Sequence, residues 1–314
     1  MFVRAQKIPA MTDLEARFGV MDQFPGYHQV PSLASPTLEM MAGPTATPEL
    51  ARIANDAMAK IVDDHPDRFV SFVAALPLNN SVAARREIDR AVDELGAAGV
   101  QIFTSIDGRP VDEPEFLELF EIMAAKDKPV WLHPIRGMTT PDYPAEQVSK
   151  YDLWWALGWP HESGVAMGRL VFSGIFDRCP NLAVITHHVG GTIPMMEGRL
   201  GSGMKLLGTR VLPGYEEAVK TPLKGFPLDG FRKFYADTAS FGSRAAIECG
   251  RAFFGADRLV FATDMPFDPE QGPGYIRETL RAISEMNLTQ AERTAIFCGN
   301  AKRLLKLDAP HSTA

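Results

Sequence analysis

Residues 169–191 read RLVFSGIFDRCPNLAVITHHVGG, and this stretch decides the fold. Its first half spaces leucine, phenylalanine and isoleucine among charges as a helix does, up to Arg178. Cys179 and Pro180 end that pattern, and the chain then turns apolar and β-branched through residues 182–187. An apolar run without alternation fits a strand covered on both faces, as strands of a parallel sheet are. The run stops at His187 and His188, followed almost at once by Gly190 and Gly191.

The same unit recurs in both directions along the chain. Strand-like runs occupy residues 29–34, 69–76, 100–104, 130–133, 182–187, 234–238 and 259–263. Helical patterns occupy 49–64, 81–96, 115–126, 165–178, 194–206, 244–254 and 275–285, and a last helix spans 289–305. Such alternation predicts an α/β fold of parallel strands joined by right-handed crossovers. No Ser/Gly/Pro linker, charge block or repeat divides the chain, so 1–314 reads as a single (β/α)8 TIM-barrel domain. A doubly wound open sheet is the rival architecture, but no GxGxxG stands at an early strand-to-helix turn.

The strand count is seven, where a barrel of this kind closes with about eight. One helical segment, 13–24, precedes the first run, and before it lies only MFVRAQKIPA, in which Pro9 argues against a central strand. The order helix, strand, helix predicts that the first strand of the barrel is missing from this sequence.

Composition bounds the function. The 314 residues are 46% hydrophobic and 23% charged, with a net charge of −7, which argues against a general nucleic-acid surface. Cys179, Cys249 and Cys298 show no CxxC spacing and fit a reducing compartment. Neither a signal-peptide pattern nor an apolar run long enough for a membrane span is visible, so the chain reads as soluble and cytoplasmic.

Three strands end in polar residues. KPVWLHP places His133 at a strand end, NLAVITHHVGG places His187 and His188, and RLVFATDMPFD places Asp264. Taken singly, each has a plain structural account: a hydrogen-bonded histidine, or an aspartate capping a helix or making a turn with Pro266. A barrel, however, gathers all its strand ends around one axis, where active sites lie. Imidazoles and a carboxylate converging there suit a divalent ion such as zinc, or an acid/base centre.

ARFGVMDQF, VQIFTS, WLHP, RLVFSGIFDRCPNLAVITHHVGG, YADTA, FATDMPFD and CGNAKRLL, in this order and spacing, cover nearly the whole chain. Together they resemble the amidohydrolase-related family that includes aminocarboxymuconate-semialdehyde decarboxylase and the resorcylate decarboxylases. The resemblance implies a (β/α)8 barrel with a divalent metal, usually zinc and sometimes manganese, that removes a carboxyl group from an aromatic or unsaturated acid. It implies that His133 and Asp264 are metal ligands and that His188 handles the proton beside the metal, with Asp264 also at the catalytic centre. Arg17, five residues before Asp22, matches an arginine that holds a substrate carboxylate. Arg199 matches one that reaches into a neighbouring subunit's site, which implies a homodimer. His187 has no counterpart and is read as supporting or structural. The family's His-x-His or Glu-x-His pair on the first strand is absent, and His28 has no ligand partner two residues away. An upstream truncation is the expectation, with a crippled metal site as the alternative.

On this reading the function is a metal-dependent decarboxylase, a carbon–carbon lyase acting on a small carboxylate. Alternatives are a hydrolase of a lactone or amide using a metal-activated water, and a non-catalytic barrel with a decayed metal site. Trp154, Trp155 and Trp159 form an aromatic insert that either walls the pocket or packs as core. His65 reads as a solvated helix end, and His311 lies in a polar tail.

Overall fold

The structure, a computed structural model, describes residues 7–307. Its main sheet contains β1 (Val73–Ala74), β2 (Gly99–Phe103), β5 (Val130–His133), β6 (Val184–Thr186), β7 (Tyr235–Asp237) and β8 (Leu259–Val260). These run in the order β1-β2-β5-β6-β7-β8, every neighbour parallel. Between β2 and β5 the chain makes a small antiparallel hairpin, β3 (Ser105–Ile106) and β4 (Arg109–Pro110). The Asp107–Gly108 pair turns it with φ of 50° and 78°, the left-handed values that a tight hairpin demands. That Asp-Gly signal stands in the sequence, yet the reading above has no hairpin there.

The expected α/β architecture of parallel strands and helices is present. Register aligns Ile102 with Leu132, Leu132 with Thr186, Thr186 with Ala236, and Ala236 with Leu259. All five residues of this belt are fully buried. Helices cover the outer face: in Pro114–Ala125 the buried residues Phe116, Leu119, Phe120 and Met123 fall on one stripe. Burying each such side chain stabilises by about 1.5–3 kcal/mol.

Three expectations need correction. The run 29–34 forms no ladder; it makes only isolated parallel bridges, Gln29 with Phe69 and Ser32 with Val73. It still takes a seventh position beside β1, as the strand count predicts. The segment 194–206 is not one helix but short turns, Pro194–Met196, Glu197–Leu200 and Ser202–Leu206. Gly198, Gly201 and Gly203 account for the breaks, since each glycine costs a helix about 1 kcal/mol. The segment 165–178 belongs to a helix that begins earlier, Gly158–Phe172, followed by Ile175–Arg178. Pro160 sits in its first turn, where proline removes no helical hydrogen bond. As for the lead, Pro9–Thr12 is a helical turn and not a strand, while residues 1–6 of MFVRAQKIPA and His311 lie outside the described residues.

The two ends of the sheet do not pair with each other among the described residues. Instead, the Phe261 N–H after β8 donates to Ile296 O (3.0 Å), from the helical segment Ala295–Gly299. Side chains bridge the seam: Tyr27 Oη lies 3.4 Å from Thr263 Oγ1, and Gln29 Nε2 donates to Met265 Sδ (3.4 Å).

Candidate active site

A cavity of about 1490 Å³ opens at the C-terminal ends of the strands and extends along this seam. It exceeds the ~300–1,000 Å³ of ordinary small-molecule pockets. His133, His187, Asp237, Asp264 and Arg17 all line it. Four of these stand at or just beyond the ends of β5, β6, β7 and β8, so barrel topology brings them together although they are far apart in sequence.

The three histidines share one hydrogen-bond arrangement. Nδ1 lies 2.6 Å from Pro134 O in His133, 3.0 Å from Leu132 O in His187, and 2.9 Å from Ala239 O in His188. A carbonyl can only accept, so each Nδ1 carries a proton, and in the neutral form of each ring Nε2 is the nitrogen with the free lone pair. The rings cluster, with centroids 4.6 Å apart for His133 and His187 and 5.7 Å for His133 and His188. Burial, followed by repulsion from His187 and His188, pushes the His133 pKa well below 6.5. Burial also lowers that of His187, partly offset by the Asp237 carboxylate.

His188 sits in an unusual backbone. His188, Val189, Gly190 and Gly191 have φ of 55°, 58°, 76° and 59°. Glycines take that region freely; a histidine and a β-branched valine do so at a cost of order 1–3 kcal/mol each. The turn persists because its surroundings fix it. Asp237 Oδ1 accepts from the N–H groups of His188 (2.8 Å), Val189 (3.4 Å) and Ala239 (3.0 Å). Gly250 leaves room for Val189, for a Cβ there would stand 2.2 Å from Val189 Cγ1. The His188 ring lies near-parallel to Trp159 (6.1 Å, 24°) and tilted against Phe241 (5.7 Å, 33°). Its Nε2 is buried and has no hydrogen-bond partner among the described residues.

The structure thus gathers His133, His188, Asp264 and Arg17 in one region but treats them differently. His188 is not on the cavity wall; the rings around it cover it. Asp264 lies beyond β8 in left-handed backbone, φ 63°. Arg17, half-buried in the helix Leu14–Met21, donates through Nε to Ala10 O (3.0 Å) and through Nη1 to Gln29 Oε1. Three of its N–H donors remain, and among the described residues it has no carboxylate partner. Burial lowers its pKa. Arg199 is exposed, outside the cavity, and without an ion-pair partner among the described residues.

The tryptophan insert proves to be wall. Trp154, Trp155 and Trp159 line the cavity, and Trp155 packs on Phe241 (5.6 Å), which packs on Tyr275 (4.8 Å). Asp237, Phe241 and Tyr275 are residues the sequence reading assigned no role. Asp237 ends a strand just as His133 does, and that signal in YADTA was enough to find it. Phe241 sits in a turn, where no periodicity marks it, and Tyr275 stands in the first turn of the helix Pro273–Ser284, whose pattern marks the helix but not that residue's place on the cavity wall.

A strand-end cavity with imidazoles, carboxylates and an aromatic wall defines an α/β enzyme of the (β/α)8-barrel kind. The chain belongs to the Amidohydrolase family, whose sequence pattern it matches over residues 7–307. It is 31% identical over 309 residues to a gamma-resorcylate decarboxylase of Polaromonas, covering 94% of this chain and 87% of that protein. A 2-amino-3-carboxymuconate-6-semialdehyde decarboxylase of Dictyostelium discoideum is 29% identical, covering 87% of this chain and 72% of the relative. In structure, it is similar to a dihydroxybenzoic acid decarboxylase of Polaromonas with bound manganese and the inhibitor 2-nitroresorcinol. That match has a TM-score of 0.80 and 28% identity, covering 96% of this chain and 88% of the other.

The relative's manganese raises the question of a metal here. Among the described residues no group of three or more His, Cys, Asp or Glu comes together to hold an ion. Even an open catalytic zinc site uses about three protein ligands. Among the described residues His133 and Asp264 would supply two of those ligands, fewer than such a site needs.

Proposed function

We propose that this chain is a decarboxylase of a small aromatic carboxylic acid. The observation that carries the reading is the buried, partnerless Nε2 of His188, set among the aromatic side chains of Trp159 and Phe241. A buried nitrogen without a partner costs stability, and a proton-transfer role accounts for keeping it. The aromatic wall offers faces for an aromatic ring, and the remaining donors of Arg17 suit a carboxylate.

In the reaction, the bond between the ring carbon and the carboxyl carbon breaks and carbon dioxide leaves. The bonding pair stays on the ring carbon, which takes a proton from the Nε2–H of His188 in its imidazolium form. The Nδ1–H bond to Ala239 O holds that ring in orientation. Phe241 lines the cavity and packs on the His188 ring, so substrate must displace it to reach His188. His133 and Asp264 are assigned as donors toward a divalent ion, zinc or manganese, and Asp264 also to the catalytic centre. Equilibrium dialysis against either metal tests that assignment, since undiminished binding by His133→Ala or Asp264→Ala removes it.

Arg199 is assigned to a neighbouring subunit's site in a homodimer, supported by its exposure without an ion-pair partner among the described residues. Mixing Arg199→Ala and His188→Ala chains then restores activity in heterodimers; inactive mixed dimers refute it. The function itself is tested by carbon dioxide release from a panel of hydroxybenzoic acids alongside lactones and amides. Release from an aromatic acid supports it; hydrolysis of a lactone or amide with no carbon dioxide overturns it.

A further inference from the structure

We infer that Asp237 is the positioning residue of the proton-handling histidine: it locks the left-handed turn that presents His188. The inference rests on the role proposed for His188. Asp237 is 3% exposed at the end of β7, and one oxygen, Oδ1, gathers three backbone N–H groups. Two belong to the non-glycine residues held in left-handed backbone, His188 and Val189. The third belongs to Ala239, whose own carbonyl receives His188 Nδ1 (2.9 Å).

One carboxylate oxygen therefore fixes both ends of the histidine. It ties down the backbone that carries the ring, and it ties down the residue whose carbonyl sets the ring's tautomer. Without it, His188 and Val189 have strong steric reason to leave the left-handed region. The Ala239 carbonyl then loses its alignment, and the ring can place its proton on either nitrogen. The turn's other supports are its own backbone bonds, from the Gly190 N–H to His187 O (3.1 Å) and from the Gly191 N–H to His188 O (3.0 Å), and the space that Gly250 leaves for Val189.

Two variants separate this role from general stability. Asp237→Asn keeps a side-chain carbonyl able to accept the same three N–H groups, whereas Asp237→Ala keeps nothing. The tautomer is read directly from the imidazole nitrogen shifts of uniformly nitrogen-15-labelled protein, with His188→Gln assigning the His188 signals. This readout does not depend on turnover. Wild type and Asp237→Asn are expected to show His188 protonated on Nδ1, and Asp237→Ala to show averaged, mixed-tautomer shifts. For decarboxylation, Asp237→Ala should lose about 100-fold in kcat with KM little changed, a loss of the size that proton-transfer groups contribute, while Asp237→Asn stays within about tenfold of wild type. If the histidine is not the proton donor at all, the nitrogen shifts still respond while kcat does not, which sinks the functional reading and leaves the positioning intact. Retention of the Nδ1 tautomer in folded Asp237→Ala overturns the proposal. Should Asp237→Ala fail to fold, loss of the tautomer in folded Asp237→Asn overturns it instead.

Discussion

The β5–β6–β7 sector and the seam between β8 and Gln29 build the same cavity in opposite ways. In the first sector, continuous parallel ladders run through fully buried Leu132, Thr186 and Ala236. Each of its histidines has its Nδ1 pinned by a backbone carbonyl. At the seam, the 29–34 run makes isolated bridges only, and a helix carbonyl caps Phe261 where a strand neighbour would stand. Arg17 and Asp264 flank this looser side. On the roles proposed above, the difference teaches that proton chemistry falls to the rigid scaffold, because a transferred proton demands placement to within fractions of an ångström. Charge attraction to a carboxylate tolerates more movement, and the groups proposed for it stand where the sheet is less continuous.

The comparison breaks most visibly at His188. Its replacement by alanine should cost about 10²–10⁴-fold in kcat, the usual worth of a general acid, with the urea midpoint near that of wild type. Residual activity within tenfold would remove the rigid sector's claim to the chemistry. Stability offers the second test. Leu132→Ala, in the middle of β5 and fully buried, should cost about 2–5 kcal/mol of unfolding free energy. Val30→Ala, half-buried at the seam, should cost under about 1 kcal/mol. Equal losses in denaturant titrations would show the two sectors to be one cooperative unit of uniform strength.

Arg17→Lys sharpens the seam's side of the contrast. Lysine keeps the charge but loses the planar fork, so KM for the aromatic acid should rise about tenfold, ~1.4 kcal/mol, with kcat nearly unchanged. A fall in kcat at constant KM would place Arg17 in the chemistry and not in binding. The smallest effect expected is on the pH dependence of stability. Burial lowers the folded-state pKa of both His133 and His187 below 6.5. Below 6.5 the unfolded chain then binds more protons than the folded one, so stability falls as pH drops from 6.5 toward the depressed folded values. Urea midpoints at about pH 7.5 and about pH 5 should therefore differ more in wild type than in a His133→Gln, His187→Gln double variant. An identical drop in both would assign the effect to carboxylates.

Much of this was legible in the residues alone. Unalternating apolar runs specify strands buried on both faces, and their spacing with helical stretches specifies a parallel α/β sheet. His133, His188 and Asp264 were visible because a polar residue ending an apolar strand interrupts a strong local pattern. The glycine-broken 194–206 segment shows where leucine periodicity misleads: amphipathic spacing persisted although the propensity to be helical did not.

Tertiary structure alone decided the rest. The clamp from Asp237 to the His188 turn joins residues 49 positions apart, and its need arises from left-handed angles that no side-chain pattern announces. That Nε2 of His188 and the guanidinium of Arg17 meet no partner and no carboxylate, respectively, among the described residues, and that Phe241 and Trp159 pack on the His188 ring, all depend on which segments fold over the strand ends. The sequence determined which residues could do chemistry, since side-chain type and local period are one-dimensional properties. Which of them touch, and which nitrogen of a histidine keeps its lone pair, was decided by packing, because a hydrogen bond is made to whatever group the fold brings within about 3 Å.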